Sequence, residues 1–477
     1  MRSEVRFILS TVTSTIADWS SEGQVIIDML PGNVLLEIFD FYRGDPASII
    51  ANSSSDRWRW RTLTQVCRKW RNLVFTSPRR LDLRVVCSDT TPTRTSLDIW
   101  PPFPIIVICL THLNTSCENG VENIMAALEH YDRTCEIYIM NINGSALEKL
   151  ANVMNGPFPA LTAFTLWASG ESAPVFTEKF LGGSAPPRLR SLNIRGIPFP
   201  TFPTFILSAT YLVDLNLLDI PTPGHAPPDI MATCLAALPN LKHLTFGFRS
   251  PLSRPERTSP PPPKRAALST LAHLSFSGVS EYLEDFLARI DTPLINRLVV
   301  AFFMDLVFDI PRLYGFARHM ERSKPFKQAK IEFSGPVIKI TFGSPTRFAL
   351  EIRCERPDWQ LSSIVQIFSR QLPILSHIER LELRESPWEY IRWKGDPDLD
   401  SLLWLELFHL FIAVQSLYVP PIAAAFQKLT EGVAMEMFPV LRNIVLEGFQ
   451  PSGPVYETIR SFVAARQSSG HPVAIQD

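Results

Sequence analysis

A pattern of apolar residues, L-x-x-L-x-L with other apolar residues allowed, recurs along most of the chain. Its first five copies begin at Leu161, Leu189, Leu212, Leu241 and Leu271, so the starts lie 28, 23, 29 and 30 residues apart. Four further copies begin at residues 295, 378, 414 and 441. A period of roughly 20–29 residues with this pattern is typical of leucine-rich repeats, in which each coil supplies one strand and one helix.

The segments between these strands predict helices. Asp229 is placed to cap a helix from Ile230 to Leu238, and Ser280 precedes apolar residues at helical spacing. Further helices are expected at 361–372, 399–412 and 455–465. The sequence therefore predicts an irregular α/β solenoid, with parallel strands on its concave face and helices on its convex face. An ordinary α/β sheet protein with leucines in chance register is the alternative.

Three segments depart from the repeat. The stretch 251–263 contains four consecutive prolines, so we expect an exposed Pro-rich loop there. Residues 329–353 alternate apolar and polar side chains with period two, which predicts an antiparallel meander. The turn Gly343-Ser344-Pro345 lies between its last two strands. Upstream, 105–110 and 135–140 predict strands, with a helix at 121–131 between them.

The region before the repeats predicts three short helices. Val34, Leu35, Ile38 and Phe39 fall on one face of a helix that starts near Pro31. Two further amphipathic segments follow, around residues 60–67 and 70–74. Three helices of this length cannot bury all of their apolar side chains among themselves, so we expect a patch to remain exposed. Its expected members are Leu30, Pro31, Ile38, Val66, Cys67 and Trp70.

The segment from Leu30-Pro31 through Ile38-Phe39 to Val66-Cys67-Arg68-Lys69-Trp70 resembles an F-box. The run that continues from Val66 to Leu83, together with residues 100–107 and 438–467, is similar to the expanded F-box proteins of mushroom-type (basidiomycete) fungi. The polar stretch 43–56 lengthens the motif by roughly a dozen residues relative to the usual F-box. We accordingly expect an N-terminal extension at 1–27 that need not be ordered, an F-box-like helical module at 28–83 and a leucine-rich-repeat-like solenoid at 84–477.

The resemblance implies a function without catalysis. An F-box docks the Skp adaptor and, through it, the cullin of an SCF-type ubiquitin ligase. The solenoid would then hold a protein substrate. The residues that the resemblance assigns to the adaptor are Leu30, Pro31, Leu35, Ile38, Phe39, Val66, Cys67 and Trp70.

Local charge favours a docking role for this module. Residues 56–80 contain eight Lys or Arg residues, at 57, 59, 61, 68, 69, 71, 79 and 80, against one Asp. A solvated basic face and nucleic-acid contact are two interpretations, the second because Arg and Trp alternate at 57–61. Steering toward an acidic partner is the third, and the resemblance favours it, because the Skp adaptor is acidic. We therefore expect no nucleic-acid partner.

Composition and motifs exclude several classes of function. The chain of 477 residues is 46% apolar, with a formal net charge of -1. Its seven scattered cysteines have no metal-ligand spacing, and no apolar run is long enough to span a bilayer. No nucleophile-elbow, phosphate-loop, dinucleotide or metalloprotease motif occurs. We expect no catalytic residue, no metal and no cofactor, no membrane partner, and a location in the cytoplasm, the nucleus or both.

One cluster is a candidate for substrate binding. It consists of Trp388, Tyr390, Arg392 and Trp393, because Trp, Tyr and Arg dominate the energetics of interfaces. Packing of these residues against the next helix, near Trp404, is the alternative interpretation. For the whole chain the rival function is a leucine-rich-repeat-like interaction scaffold with a degenerate F-box and no ligase role. A third hypothesis, a hydrolase without recognisable motifs, has no supporting residues.

Overall fold

The computed structural model describes residues 30–43, 59–76, 83–88, 93–99, 102, 104–109, 118–170, 173–249, 265–303, 310–334, 336–354, 358–369, 373–385, 397–419, 437–446 and 454–476. The chain divides into two compact units, Met1–Ile139 and Met140–Asp477. The predicted Pro-rich loop at 251–263 and the extension at 1–27 lie outside the described residues.

In the first unit, the first described residues form three short helices at the predicted positions. They are α1 Gly32–Arg43, α2 Arg59–Val66 and α3 Arg68–Thr76. Their shared core consists of Leu35, Phe39, Leu63, Trp70 and Val74. The rings of Phe39 and Trp70 lie 4.7 Å apart between centroids. A Cβ at Gly32 would lie 3.1 Å from Leu73 Cδ1, so α1 starts close against α3.

The described residues that follow in the first unit form three strands and two helices. They are β1 Leu83–Val86, α4 Thr93–Ile99, β2 Ile105–Cys109, α5 Glu118–Leu128 and β3 Thr134–Ile142, the last of which crosses the boundary between the units. β1 pairs in parallel with β2, and β2 with β3. All five side chains of β2 are buried, as expected of a strand in the middle of a parallel sheet. The strands and the helix predicted upstream of the repeats are therefore confirmed.

The described residues of the second unit form strands that mostly alternate with helices. Its strands are β4 Ala163–Ala168, β5 Ser191–Arg195, β6 Asp214–Ile220, β7 His243–Phe248, β8 Ala266–Ala267, β9 His273–Gly278, β10 Ile290–Asp291, β11 Arg297–Phe302, β12 Gln328–Ser334, β13 Val337–Phe342, β14 Phe348–Arg353, β15 Arg380–Glu385, β16 Ser416–Val419, β17 Asn443–Leu446 and β18 Ala474–Gln476. Its α-helices are α6 Gly144–Val153, α7 Phe202–Ile206, α8 Pro228–Ala236, α9 Ser280–Arg289, α10 Pro311–Ser323, α11 Asp358–Ser369, α12 Pro397–His409 and α13 Pro454–Ser468. Short 3-10 helices occupy Phe180–Gly182, Thr222–Gly224 and Pro373–His377.

One long, mostly parallel sheet organises this unit. Its strand order is β4-β5-β6-β7-β9-β11-β14-β13-β12-β15-β16-β17-β18, and β8 pairs separately with β10. The predicted neighbours at 189–194 and 212–217 are adjacent, since β5 and β6 pair in parallel with Leu192 opposite Leu215. The α/β class and the leucine-rich-repeat-like arrangement of parallel strands and intervening helices are therefore confirmed.

The repeat pattern marks the buried face of the sheet. All three apolar positions of each of the nine copies are at most 7% exposed. They also align across strands: Phe164, Leu192, Leu215, Leu244 and Leu274 occupy successive register positions from β4 to β9. Helices cover this face, as where Phe286 of α9 lies 5.2 Å from Phe246 of β7. The periodicity arises because each strand buries alternate side chains and the next coil covers its edge.

A turn ahead of each strand explains much of the proline content. The N–H of the first apolar position donates to the carbonyl three residues earlier in all nine copies, at 3.0–3.5 Å, for example Leu241 to Leu238. Proline occupies the second position of five of these turns, at 159, 187, 239, 293 and 439. Its fixed φ suits that position, and its missing N–H is not needed there. The residue that begins each turn is also buried, so the repeat extends three residues upstream of the predicted pattern.

The expected antiparallel meander is confirmed. β12 pairs antiparallel with β13, and β13 with β14. The two outer strands continue the parallel sheet on either side, because β14 pairs with β11 and β12 with β15. The chain reverses direction twice within the meander, between β12 and β13 and between β13 and β14, so β14 runs in the same direction as β12. Both outer strands can therefore pair in parallel with the strands that flank the meander.

Some predicted helix boundaries are corrected. Asp229 does not cap α8: the residue at the N-cap is Pro227, and Asp229 lies in the first turn. Pro228 is tolerated at the first helical position because its missing N–H has no partner there anyway. The carboxylate of Asp229 still lies where the helix dipole favours negative charge. The helices expected at 361–372, 399–412 and 455–465 span 358–369, 397–409 and 454–468.

Candidate interaction surfaces

The eight residues predicted to contact the adaptor divide into three groups by exposure. Leu35 and Phe39 are buried at 0% and 2% exposure, and Trp70 is buried at 8%. Leu30 and Cys67 are half-buried and pack against this core. The expectation that Trp70 remains exposed is wrong, because its ring packs against Phe39 and its backbone N–H donates to Cys67 Sγ at 3.4 Å.

The remaining three residues stay exposed and define the helix patch, which consists of Pro31, Ile38 and Val66. Ile38 is 40% exposed and Val66 is 55% exposed. Large aliphatic side chains at these positions contribute little to the module's own core, so their chemistry is that of a contact surface.

Exposed cations accompany the helix patch on the neighbouring helix α3. Arg68, Lys69 and Arg71 are all exposed. Lys69 Nζ donates to the carbonyl of Leu30 at 3.1 Å, and Arg71 Nε donates to the carbonyl of Thr64 at 2.9 Å. These two side chains therefore join the helices while keeping their positive charge at the surface. The side chains at 57, 59, 61, 79 and 80 lie outside the described residues.

The second predicted site, Trp388, Tyr390, Arg392 and Trp393, lies outside the described residues and stays a prediction. The helix that follows it is described. Trp404 of α12 packs against Phe333 of β12 at 5.5 Å and against Phe408 at 5.2 Å. Trp404 is therefore half-buried and packs against the core of the second unit.

The face of the sheet opposite the buried apolar rows presents a third surface. The repeat face is defined here as the outward positions of β5, β6, β7, β9 and β11. Its central row contains small uncharged polar side chains at Asn193, Asn216, Thr245 and Ser275, and ends at Val299. The next row toward the strand ends contains Gly247, Ser277 and Ala301. A Cβ at Gly247 would lie 2.8 Å from Ser277 Cβ, so a larger residue at this position would force its neighbour on β9 to shift.

Polar contacts order one end of the repeat face. Trp167 Nε1 donates to Asn193 Oδ1 at 3.1 Å, and the guanidinium of Arg195 lies 5.6 Å from the Trp167 ring centroid. Arg195 Nε pairs with Asp219 Oδ2 at 2.6 Å. Asp219 has φ +49° at an irregularity in the register between β6 and β7. An aromatic ring, an amide and an ion pair thus form a pre-organised polar edge.

Two histidines lie in the row at the beginning of these strands. His243 Nδ1 contacts Asp214 Oδ1 at 2.5 Å, and the rings of His243 and His273 lie 6.1 Å apart. Burial lowers the pKa of His273, and the nearby Arg297 and His243 lower it further. Its Nε2 has no hydrogen-bond partner within the part of the chain that the structure describes. His273 is therefore held neutral beside a permanent cation.

The corresponding face of β12 to β15 is occupied by paired charges. Glu351, Lys339, Glu332 and Arg384 occupy successive register positions with alternating sign. Lys330 pairs with Glu332 at 2.9 Å, and Arg384 pairs with Glu382. Opposite charges on neighbouring strands stabilise a sheet modestly and leave little net field.

Other kinds of site have little support among the described residues. There, no group of three or more His, Cys, Asp or Glu side chains is arranged to hold a metal ion. Burial raises the pKa of Cys87 to about 12, which keeps its thiol protonated. In the same residues, no helix combines the length and the apolar character that crossing a membrane requires.

Comparison with known proteins adds little to these observations. No protein-family model matches the chain, and no curated protein matches it significantly. Among solved structures it is similar to the leucine-rich repeat-containing protein LegL7 from Legionella pneumophila, at 11% identity over 80% of this chain and 97% of that one. The TM-score is 0.29, so the leucine-rich-repeat-like description is based on the strand register and burial given above.

Proposed function

We propose that the protein is a substrate-recognition subunit of an SCF-type ubiquitin ligase, in which the helical module docks the Skp adaptor and the repeat unit binds a protein substrate. The observation that carries the proposal is the helix patch, whose Pro31, Ile38 and Val66 are exposed on a module that has its own filled core and three exposed cations on α3. Apolar contact would provide affinity, and the cations would attract an acidic adaptor. The sequence resemblance to F-box proteins supports this choice of partner.

The proposed mechanism is proximity. A receptor that holds the adaptor through one unit and the substrate through another raises the effective concentration of substrate lysines near the conjugating enzyme. Such a role requires rigid binding surfaces and no catalytic side chain. A long sheet with a fully buried apolar face and an accessible polar face meets that requirement.

The alternative function is an interaction scaffold without a ligase role, in which the helical module is degenerate. The repeat face supports the scaffold and the ligase subunit equally, because both functions need a sheet that binds a protein. Copurification separates the two: a ligase subunit retains the adaptor and the cullin, whereas a scaffold retains neither.

The direct test is truncation of the helix patch. Ile38→Ala combined with Val66→Ala should abolish retention of the adaptor in a pulldown, because truncating an interface anchor typically costs at least ~2 kcal/mol. Both side chains are exposed, so thermal unfolding of the variant should match that of the original chain.

Leu294→Ala provides the matched control, since Leu294 is 60% exposed and lies in the second unit. It should leave adaptor binding unchanged. Undiminished adaptor binding by the Ile38 and Val66 variant would contradict the proposed docking surface. Complete absence of adaptor binding by the original chain would favour the scaffold.

A further inference from the structure

Charge in the regular repeats is segregated between strands and helices. The strands β5, β6, β7, β9 and β11, with the residue on either side of each, carry five cations and two carboxylates. The cations are Arg190, Arg195, Lys242, Arg249 and Arg297, and the carboxylates are Asp214 and Asp219. The two helices α8 and α9 carry the opposite excess, with four carboxylates against Arg289. The sheet side of the repeats is therefore positive although the whole chain has a net charge of -1.

Three of these cations are left without an acidic partner in the described part of the chain. Arg195 is held by Asp219, and Asp214 is held by His243. Arg190, Lys242 and Arg297 are exposed, and none forms an ion pair with a described carboxylate. In the meander of the same sheet, by contrast, Lys330 pairs with Glu332 and Arg353 with Glu351. Arg190 and Lys242 immediately precede β5 and β7, and Arg297 begins β11, so these three cations lie at the starting edge of the repeat face.

The unpaired cations border a floor suited to a peptide backbone. Asn193 and Asn216 present both donors and acceptors, and Thr245 and Ser275 present hydroxyls. The adjacent row of Gly247, Ser277 and Ala301 adds no bulk above the sheet. The four strand spacings from β5 to β11 cover about 19 Å, which roughly six extended residues would cross.

We propose that the repeat face binds an extended, acidic segment of a partner protein, whose carboxylates face Arg190, Lys242 and Arg297 while its backbone contacts the central amide and hydroxyl row. The proposal rests on the proposed function, because it gives the chemistry of the substrate that such a receptor would hold.

Charge distribution favours an acidic protein segment over nucleic acid. Asp214 and Asp219 lie within the face and would repel a continuous phosphate backbone. A peptide can leave its neutral residues opposite these carboxylates and place acidic residues only opposite the cations. Nucleic-acid proteins also concentrate many cations along one groove, whereas these three are spread over five strands.

The test uses the purified full chain and fluorescein-labelled peptides of about twelve residues, long enough to cross the face. One peptide alternates Glu with Ser, and two controls replace Glu by Gln or by Lys. At about 0.05 M salt, where surface charges are weakly screened, fluorescence anisotropy should detect binding of the Glu peptide alone. Arg297→Gln with Lys242→Gln should weaken that binding by roughly tenfold, since exposed ion pairs contribute up to about fivefold each.

Lys339→Gln is the matched control, because Lys339 lies on the same sheet between two glutamates and should not affect peptide binding. Equal affinity of the double variant and the original chain for the Glu peptide would overturn the inference, as would equal binding of the Gln peptide. A labelled oligothymidine that binds in place of the Glu peptide would overturn it in favour of nucleic acid.

The outcome separates this inference from the proposed function. The Arg297 and Lys242 variant should retain the adaptor in the pulldown, because its substitutions lie in the second unit. Loss of adaptor binding by the original chain with intact Glu-peptide binding would refute the docking role and leave the repeat face supported. The reverse result would refute the repeat face alone.

Discussion

The regular repeats and the meander share one sheet and one kind of buried face, yet their accessible faces differ. In both regions alternate apolar side chains are buried, as in Leu244 and Phe246 of β7 and Ile338 and Ile340 of β13. On the opposite face the meander places glutamates beside cations, whereas the repeats place small uncharged side chains between unpaired cations. The buried face therefore stabilises the sheet in the same way in both regions, whereas the accessible faces differ in charge and can serve different functions.

The largest predicted effect tests whether the buried faces of the regular repeats and of the meander contribute equally to stability. Phe246→Ala and Phe342→Ala each remove a fully buried ring, one packed 5.1 Å from Phe276 and the other 5.5 Å from Phe348. We expect each substitution to lower the free energy of unfolding by about 3–5 kcal/mol, measured by urea denaturation. A cost below about 1 kcal/mol in the meander alone would contradict the equivalence of the two buried faces.

A second prediction concerns the close approach of strands in the repeats. Gly247→Ala would place its Cβ 2.8 Å from Ser277 Cβ, so we expect a loss of about 1–3 kcal/mol from overpacking. Ser277→Gly in the same chain should recover most of that loss, because it removes the clashing atom. Gly315→Ala is the control: no atom lies within 4 Å of its Cβ, and alanine should stabilise α10 by about 0.5–1 kcal/mol.

The smallest expected effect is a pH dependence that belongs to the repeat face. Burial lowers the pKa of His273 in the folded state, so the unfolded chain binds more protons just below its ordinary value of about 6.5. This contribution to stability is complete above that pH and is lost as pH falls toward the folded pKa. Chemical denaturation at several pH values should show that the free energy of unfolding of the His273→Gln variant falls less steeply with decreasing pH than that of the original chain.

His319→Gln is the matched substitution for that measurement, because His319 is exposed on α10. If the free energy of unfolding fell equally with decreasing pH in the His273 variant and in the original chain, burial would not control the titration of His273.

The sequence predicted the second unit well because its signal is repeated. Nine copies of one apolar pattern reinforce one another, and the period-two run at 329–353 identified the meander correctly. It predicted the helical module's three helices but misjudged Trp70, since amphipathic spacing places a side chain on a face without saying what covers it. Asp229 was misassigned for a similar reason, because Pro228 can begin a helix one residue before a plausible cap.

What the sequence determined by itself was the class of fold, through the spacing of buried side chains along the chain. What only the tertiary structure decided was which outward residues become neighbours. Arg190, Lys242 and Arg297 are separated by many residues, and parallel register brings them to the same end of nearby strands. The spacing of apolar residues within one coil determines which side chains are buried, because burial follows the period of the strand or helix. Which exposed side chains become neighbours depends on how one coil pairs with the next, and no single coil specifies that pairing.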